Sequence, residues 1–185
     1  MSPWALNRLA HALSAGAVIA YPTDTIWGFG CDPRNGKSVG RILQIKQRAV
    51  EKGLILLSSR LEYCEPFIEI DSKQRETLQQ PCEQPTTWLV NASPACPYWI
   101  RGNHPGVAIR MTDHPLLREL CERLQMPLVS TSANRAGRPA ARNALQLRRQ
   151  FRDELDFIVT GFETGGSRPS AIISLASGTT LRPGQ

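Results

Sequence analysis

Apolar residues along the chain switch repeatedly between helical and strand spacing. Leu6, Leu9, Ala10 and Leu13 recur three or four positions apart behind Ser2 as a cap and Pro3 at the first helical position, and Gly16 ends the run. "AVIAY" (17–21) then reads as a short apolar strand. "VGRILQIKQR" (39–48) reads as a helix with Val39, Ile42 and Leu43 inward and Lys46 and Arg48 at its C-terminal end. Further strands are predicted over 53–59, 86–90, 106–111, 127–133, 156–161 and 170–176. Asp113 is expected to cap a helix, "HPLLRELCERLQ", whose Leu116, Leu117, Leu120, Cys121 and Leu124 share one side, and a last helix is expected over 142–154. No repeat or low-complexity linker interrupts the series. Near-alternation of strands and helices predicts an α/β fold on a largely buried, mixed sheet with flanking helices, and such sheets bind ligands where their strands end.

Composition narrows this picture. At 185 residues and 41% apolar content, one globular domain over 1–185 with a real core is expected. No apolar run approaches 18 residues and no leader pattern opens the chain, so a cytoplasmic location with no membrane partner is expected. Cys31, Cys64, Cys82, Cys96 and Cys121 are an odd, widely spaced set that suits neither a disulfide framework nor zinc. His11, His104 and His114 lack metal spacing as well, so no protein-held metal is predicted; His114 is placed in the first turn of a helix. A net charge of +6 favours polyanionic partners, nucleotides or RNA alike.

Polar residues gather where predicted strands end. Thr23, Asp24 and Thr25 follow the first strand and Arg110 closes another; Ser130, Thr131, Ser132 and Asn134 end a third, and Arg168 with Ser170 opens a late one. Any one such cluster is explained by turns and caps that satisfy their own backbone, whereas four around one sheet argue for a site. Lys46, Arg48 and Lys52 sit close by in sequence. Cations at a helix C-terminus also complement its dipole, worth about 0.3–1 kcal/mol. "CDPRNGKS" (31–38) imitates a phosphate loop, but Cys31 stands where its first glycine belongs, and "GFG" (28–30) lacks the third glycine of a dinucleotide fingerprint. A triphosphate site without such a loop must draw its cations and hydroxyls from side chains.

Taken in order, "AYPTDTIWGFGCDP", "KQRAVEKGLILL", "GVAIRMTDHP", "PLVSTSANRAGRPA", "PSAII" and "LRPG" resemble the successive motifs of the YrdC-like family, the threonylcarbamoyl-AMP synthases. The resemblance implies a twisted α/β fold with a basic concave cavity. It implies condensation of L-threonine, bicarbonate and ATP to L-threonylcarbamoyl-adenylate and pyrophosphate, serving the N6-threonylcarbamoyl group on adenosine 37 of tRNA. Carried over motif by motif, Lys46 and Arg48 would be the catalytic cations, and Lys46, Arg48, Lys52, Ser132, Arg142 and Arg182 would line the ATP site. Thr23, Thr25, Arg110, Asn134 and Ser170 would hold threonine and bicarbonate. Mg²⁺ is expected on the phosphates rather than in a protein cage. For a short form of this kind the resemblance implies partner proteins of the same pathway (TsaD, TsaB and TsaE) and possible direct contact with tRNA.

Three positions depart from the family pattern: Ala49 replaces a proline after the K-x-R triplet, "EQPTTWL" (83–89) replaces a tryptophan-proline-glycine-rich segment, and Ala171 stands where an acidic residue or threonine is frequent. The first is expected to loosen a turn and the second to reshape a cavity wall. Two other readings compete. One is a non-catalytic RNA-binding module, suggested by Arg135, Arg138, Arg142, Arg148, Arg149 and Arg152; the other is a carbamoyl-transfer enzyme with a different acceptor.

Overall fold

The computed structural model describes residues 1–162 and 169–184, so the expected contribution of Arg168 lies outside the described residues. In chain order the elements are α1 (Pro3–Ser14), β1 (Ile19–Tyr21), β2 (Gly28–Gly30), α2 (Gly36–Lys46), β3 (Ile55–Ser58), β4 (Ile68–Glu69), α3 (Ser72–Gln79) and β5 (Thr86–Ala92). They continue with α4 (Tyr98–Arg101), β6 (Gly106–Met111), α5 (Pro115–Leu124), β7 (Leu128–Ser132), α6 (Ala144–Phe151), β8 (Phe157–Ile158), β9 (Ala171–Ser174) and β10 (Thr180–Arg182). Among the described residues the strands form one mixed sheet in the order β10-β9-β5-β6-β3-β7-β2-β1-β8, with β4 paired to the far end of β5. The pairs β3/β6, β5/β9 and β1/β8 are parallel and the others antiparallel.

The central strands are apolar on both faces because both faces are covered. Ile19 and Tyr21 of β1, Leu57 of β3 and Leu128 of β7 join the buried stripes of α1 and α5 in one core. Their neighbours Ala20, Leu56 and Val129 point the other way, into a second core with Val39, Ile42 and Ile45 of α2. Each leucine sealed in this manner contributes roughly 1.5–3 kcal/mol of transfer free energy. The helix α1 begins as expected: Pro3 occupies its first turn and the Ser2 hydroxyl accepts from the Ala5 N–H at 3.3 Å.

Three expectations are corrected. Helix α2 starts at Gly36 rather than 39, because the Asn35 side chain accepts from the N–H groups of Lys37 and Ser38, and it ends two residues early, at Lys46, where Gln47 turns left-handed (φ 52°). Asp113 does not cap α5: His114 is the capping residue, makes no side-chain cap bond, and hands over to Pro115, which has no N–H to satisfy. Ala49 holds its turn without proline, since its φ of −65° is the value that a proline ring imposes.

Candidate functional site

One face of the sheet carries a cavity of about 620 Å³, within the usual range for a small-ligand site. The strand ends singled out in the sequence converge on it: Thr23 and Thr25 after β1, Arg110 on β6, Ser130, Thr131, Ser132 and Asn134 at the end of β7, and Ser170 before β9. Arg48, Lys52 and, from β10, Arg182 complete the expected set in this lining. Arg101, the last residue of α4, and His104 just beyond that helix also line it. The described lining therefore holds four arginines and a lysine and no aspartate or glutamate. A concave, low-dielectric surface of one sign concentrates anions.

Two of the predicted residues are placed elsewhere. Arg142 lines a neighbouring depression with Arg135, Arg138 and Arg149, sharing only Ala140 with the main cavity. Lys46 is only 4% exposed and does not line the cavity. Its ammonium donates to the Ser132 carbonyl, to Asn134 Oδ1 at 3.0 Å and to the Asn134 carbonyl at 3.1 Å, with Ser132 Oγ at 3.4 Å. An ammonium has three protons, and these acceptors occupy them. Burial, helped by the nearby Arg48, lowers the Lys46 pKa from 10.5 to about 8, against acceptors that favour the charged form. The left-handed Gln47 is why two cations one residue apart face different surroundings. It breaks the helical period, so Lys46 stays on the buried side of α2 while Arg48 swings to the cavity wall and donates to the carbonyls of Gly53 (3.0 Å) and Lys52 (3.3 Å).

The cations strain one another. Burial and then the Arg182 charge lower the pKa of Arg48, and burial and then the Arg110 charge lower that of Arg182. Both guanidiniums are far too basic to lose a proton, so the strain stays as repulsion that a bound anion relieves. Arg110 is 5% exposed; its Nη2 donates to Asp24 Oδ2 at 2.6 Å and its Nη1 to Thr25 Oγ1 at 3.0 Å. Among the described residues no group accepts from Arg110 Nε or from Arg48 Nε.

The hydroxyls and the amide have defined directions. Thr23 Oγ1 donates to the Ile26 carbonyl at 2.7 Å, so in its 3.0 Å contact with Thr25 the latter must be the donor. Ser132 Oγ donates to Asn134 Oδ1 at 2.6 Å, and Asn134 Nδ2 donates to the Arg138 carbonyl, which leaves one amide N–H of Asn134 without a described acceptor. Ser170 Oγ lies 2.7 Å from Thr87 Oγ1, and Arg182 Nη2 donates to the Ser170 carbonyl at 2.9 Å. Sequence reasoning missed Arg101 and His104 as lining residues, and it singled out Ser130 at the strand end without giving it a ligand. Arg101 ends a helix of four residues with no apolar period to read, whereas the S-x-S spacing puts Ser130 on the strand face of Ser132.

Among the described residues no three His, Cys, Asp or Glu side chains are grouped so as to hold a metal, and no helix is long and apolar enough to cross a membrane.

Residues 11–184 match the Sua5_yciO_yrdC family, described as "Telomere recombination". A threonylcarbamoyl-AMP synthase of Pseudomonas fluorescens is 44% identical over 184 residues, covering 99% of both chains. The structure of P. abyssi Sua5 complexed with L-threonine superposes with a TM-score of 0.90 at 28% identity, over all of this chain and 55% of the other, so the chain spans just over half of that protein. E. coli YciO shares the fold at a TM-score of 0.84 and 20% identity, over 99% and 90% of the two chains.

Proposed function

The chain belongs to the Sua5/YciO/YrdC family, and from that premise we propose that it is a threonylcarbamoyl-AMP synthase, joining L-threonine, bicarbonate and ATP into L-threonylcarbamoyl-adenylate with release of pyrophosphate. The observation that carries this reading is the cavity wall, with four arginines and a lysine, strand-end hydroxyls, and no carboxylate among its described residues. All three substrates are anions or carry an anionic group, and their mutual repulsion is the first obstacle to reaction.

The chemistry asks for positioning more than for proton transfer. Threonine nitrogen and bicarbonate form a carbamate with loss of water. A carbamate oxygen then bonds to the α-phosphorus while the α–β bridging bond breaks, and pyrophosphate carries away the electron pair. Arg110 is assigned to the threonine carboxylate, and Arg48, Lys52 and Arg182 to the phosphates. Ser132, Ser170 and the remaining Asn134 N–H lie between these two groups in function, bridging nucleotide and amino acid. Fixed cations in a closed wall stabilise charge that shifts toward the leaving pyrophosphate and need no reorganisation as it does so. Among its described residues the lining offers no carboxylate cage, so Mg²⁺ would be held by the triphosphate that Arg48, Lys52 and Arg182 face, and would supply further neutralisation of its charge. Lys46 is assigned to the support of the Ser132–Asn134 segment, and Arg142 to the outer basic depression.

The product is a reactive mixed anhydride, so a cytoplasmic relay is proposed in which the TsaD, TsaB and TsaE class of partner receives it. Arg138, Arg142 and Arg149 of the neighbouring depression, with the exposed Arg148 beside Arg149 in sequence, are proposed to meet tRNA phosphates. The chain is read as one domain sufficient for adenylate formation. Pyrophosphate release measured with each substrate omitted in turn tests the reading. Release that needs both threonine and bicarbonate supports it; equal ATP turnover without either one overturns it.

A further inference from the structure

We propose that a second cavity, at the C-terminal ends of β3 and β6, is the docking groove for a cationic segment of a partner protein, one that alternates apolar side chains with lysine or arginine. The cavity measures about 750 Å³. Its wall is drawn from residues 59–62 after β3, 111–114 at the end of β6, and 78–86 from the end of α3 to the start of β5, together with Asp24 and Trp88. The departing segment 83–89 gives Glu83, Gln84, Pro85, Thr86 and Trp88 to this wall and only Leu89 to the main cavity. The inference does not rest on the synthase reading.

Its chemistry reverses that of the main cavity. Leu61 and Leu78, both buried, form an apolar floor with the half-buried Trp88 and Met111. The carboxylates of Asp24, Glu62, Glu83 and Asp113 stand against the single arginine Arg60 in the described lining. Asp24 is engaged by Arg110 and Glu62 lies 3.6 Å from Arg60, whereas Glu83 and Asp113 are exposed and form no ion pair with a described residue. No described residue lines both cavities, and the Arg110–Asp24 bridge is where their walls meet. The chain as a whole carries +6, so a groove with this excess of carboxylates selects the opposite sign from the rest of the surface. RNA phosphates are repelled here for the same reason. An apolar floor inside a charged rim is the anatomy of a protein–protein contact, and an indole adds attraction for an ammonium or guanidinium. A free polyamine would meet the carboxylates but leave the floor wet, whereas leucine-sized side chains fill it.

Cys82 provides the test, because it lines this cavity and is exposed while the other four cysteines are buried. Its alkylation by iodoacetamide, a neutral reagent, is timed with and without a blocked synthetic peptide that alternates leucine with lysine or arginine. The ratio of the two rates reads occupancy of the groove whatever the reactivity of the thiol in a given variant. The peptide is expected to slow alkylation severalfold in wild-type protein, and to do so less well as salt is raised. Its analogue with glutamate at the cationic positions is expected to give no protection. Glu83→Gln combined with Asp113→Asn is expected to raise the peptide concentration for half-protection about tenfold, the worth of two exposed ion pairs. Pyrophosphate release by that double variant is expected to stay at the wild-type rate, which also certifies its fold. Absence of protection by the cationic peptide, equal protection by the acidic analogue, or an unchanged half-protection concentration in the double variant would each overturn the docking groove and leave the synthase reading in place. Spermidine that protects as well as the peptide would overturn it too, in favour of a site for small cations.

Discussion

At the scale of single residues, the triplet Lys46-Gln47-Arg48 shows how one backbone angle divides labour between neighbours. Sequence spacing offers two cations for one triphosphate. The left-handed Gln47 separates them, with Lys46 tied to the carbonyls of Ser132 and Asn134 and Arg48 on the cavity wall. Their removal should therefore fail differently. Lys46→Met leaves buried carbonyls without a donor, which costs about 1–3 kcal/mol, and is expected to lower the unfolding free energy by that amount together with kcat/KM. Arg48→Ala is expected to leave stability within about 1 kcal/mol of wild type and to lower kcat/KM for ATP about tenfold or more, the worth of a charged contact. Denaturant titration and steady-state kinetics on both variants separate the two; equal stability losses would return Lys46 and Arg48 to a common role.

At the scale of elements, what was legible followed the apolar stripe. Helices α1 and α5 carry buried leucines at helical spacing, α6 buries Leu147 and Phe151 four apart, and β3 and β7 place Leu56 and Leu57, and Leu128 and Val129, in the cores on opposite faces, so their patterns are strong. Helix α3 was missed because Leu78 is its one buried residue; its readable signal was instead the capping box of Asp71 and Gln74. Strand β2 is Gly-Phe-Gly, which has almost no strand propensity and pairs only because β1 and β7 flank it. The junction of α4 with the turn before β3 depends on glycine in a way that no period reveals. Gly102 has φ +65°, and a Cβ there would meet the Glu51 carbonyl oxygen at 2.3 Å; Gly53 opposite has φ +61°. This contact sets the backbone that carries Lys52 and Arg101 to the cavity. Gly102→Ala is expected to cost at least ~2 kcal/mol more than Gly137→Ala, which shares a positive φ but meets nothing within 4 Å. Thermal unfolding of the two variants checks this, and equal losses would mean that the junction yields easily.

At the scale of the whole molecule, charge is distributed over two basic surfaces with different work. The cavity lining was largely legible because its hydroxyls and cations stand at strand ends; the arginines of α6 were legible only as a charge run. In the structure Arg148, Arg149 and Arg152 are exposed, while Leu147 and Phe151 of the same helix are buried. If that outer face meets tRNA, Arg148→Glu with Arg149→Glu is expected to weaken RNA binding and flatten its salt dependence by about one slope unit per lost phosphate contact. Pyrophosphate release by the same protein is expected to persist, since neither arginine lines the main cavity. Unchanged RNA affinity would make these arginines a solvated surface.

The central claim is that one anion-selective cavity assembles a carbamate on an adenylate. Its most direct measurement follows labelled bicarbonate, incubated with the protein, L-threonine, ATP and Mg²⁺, into products resolved by chromatography. The account predicts label in a species that also contains threonine and AMP, formed in step with pyrophosphate and lost in Arg110→Ala. ATP consumed to ADP and phosphate, or adenylate formed without label, would contradict it.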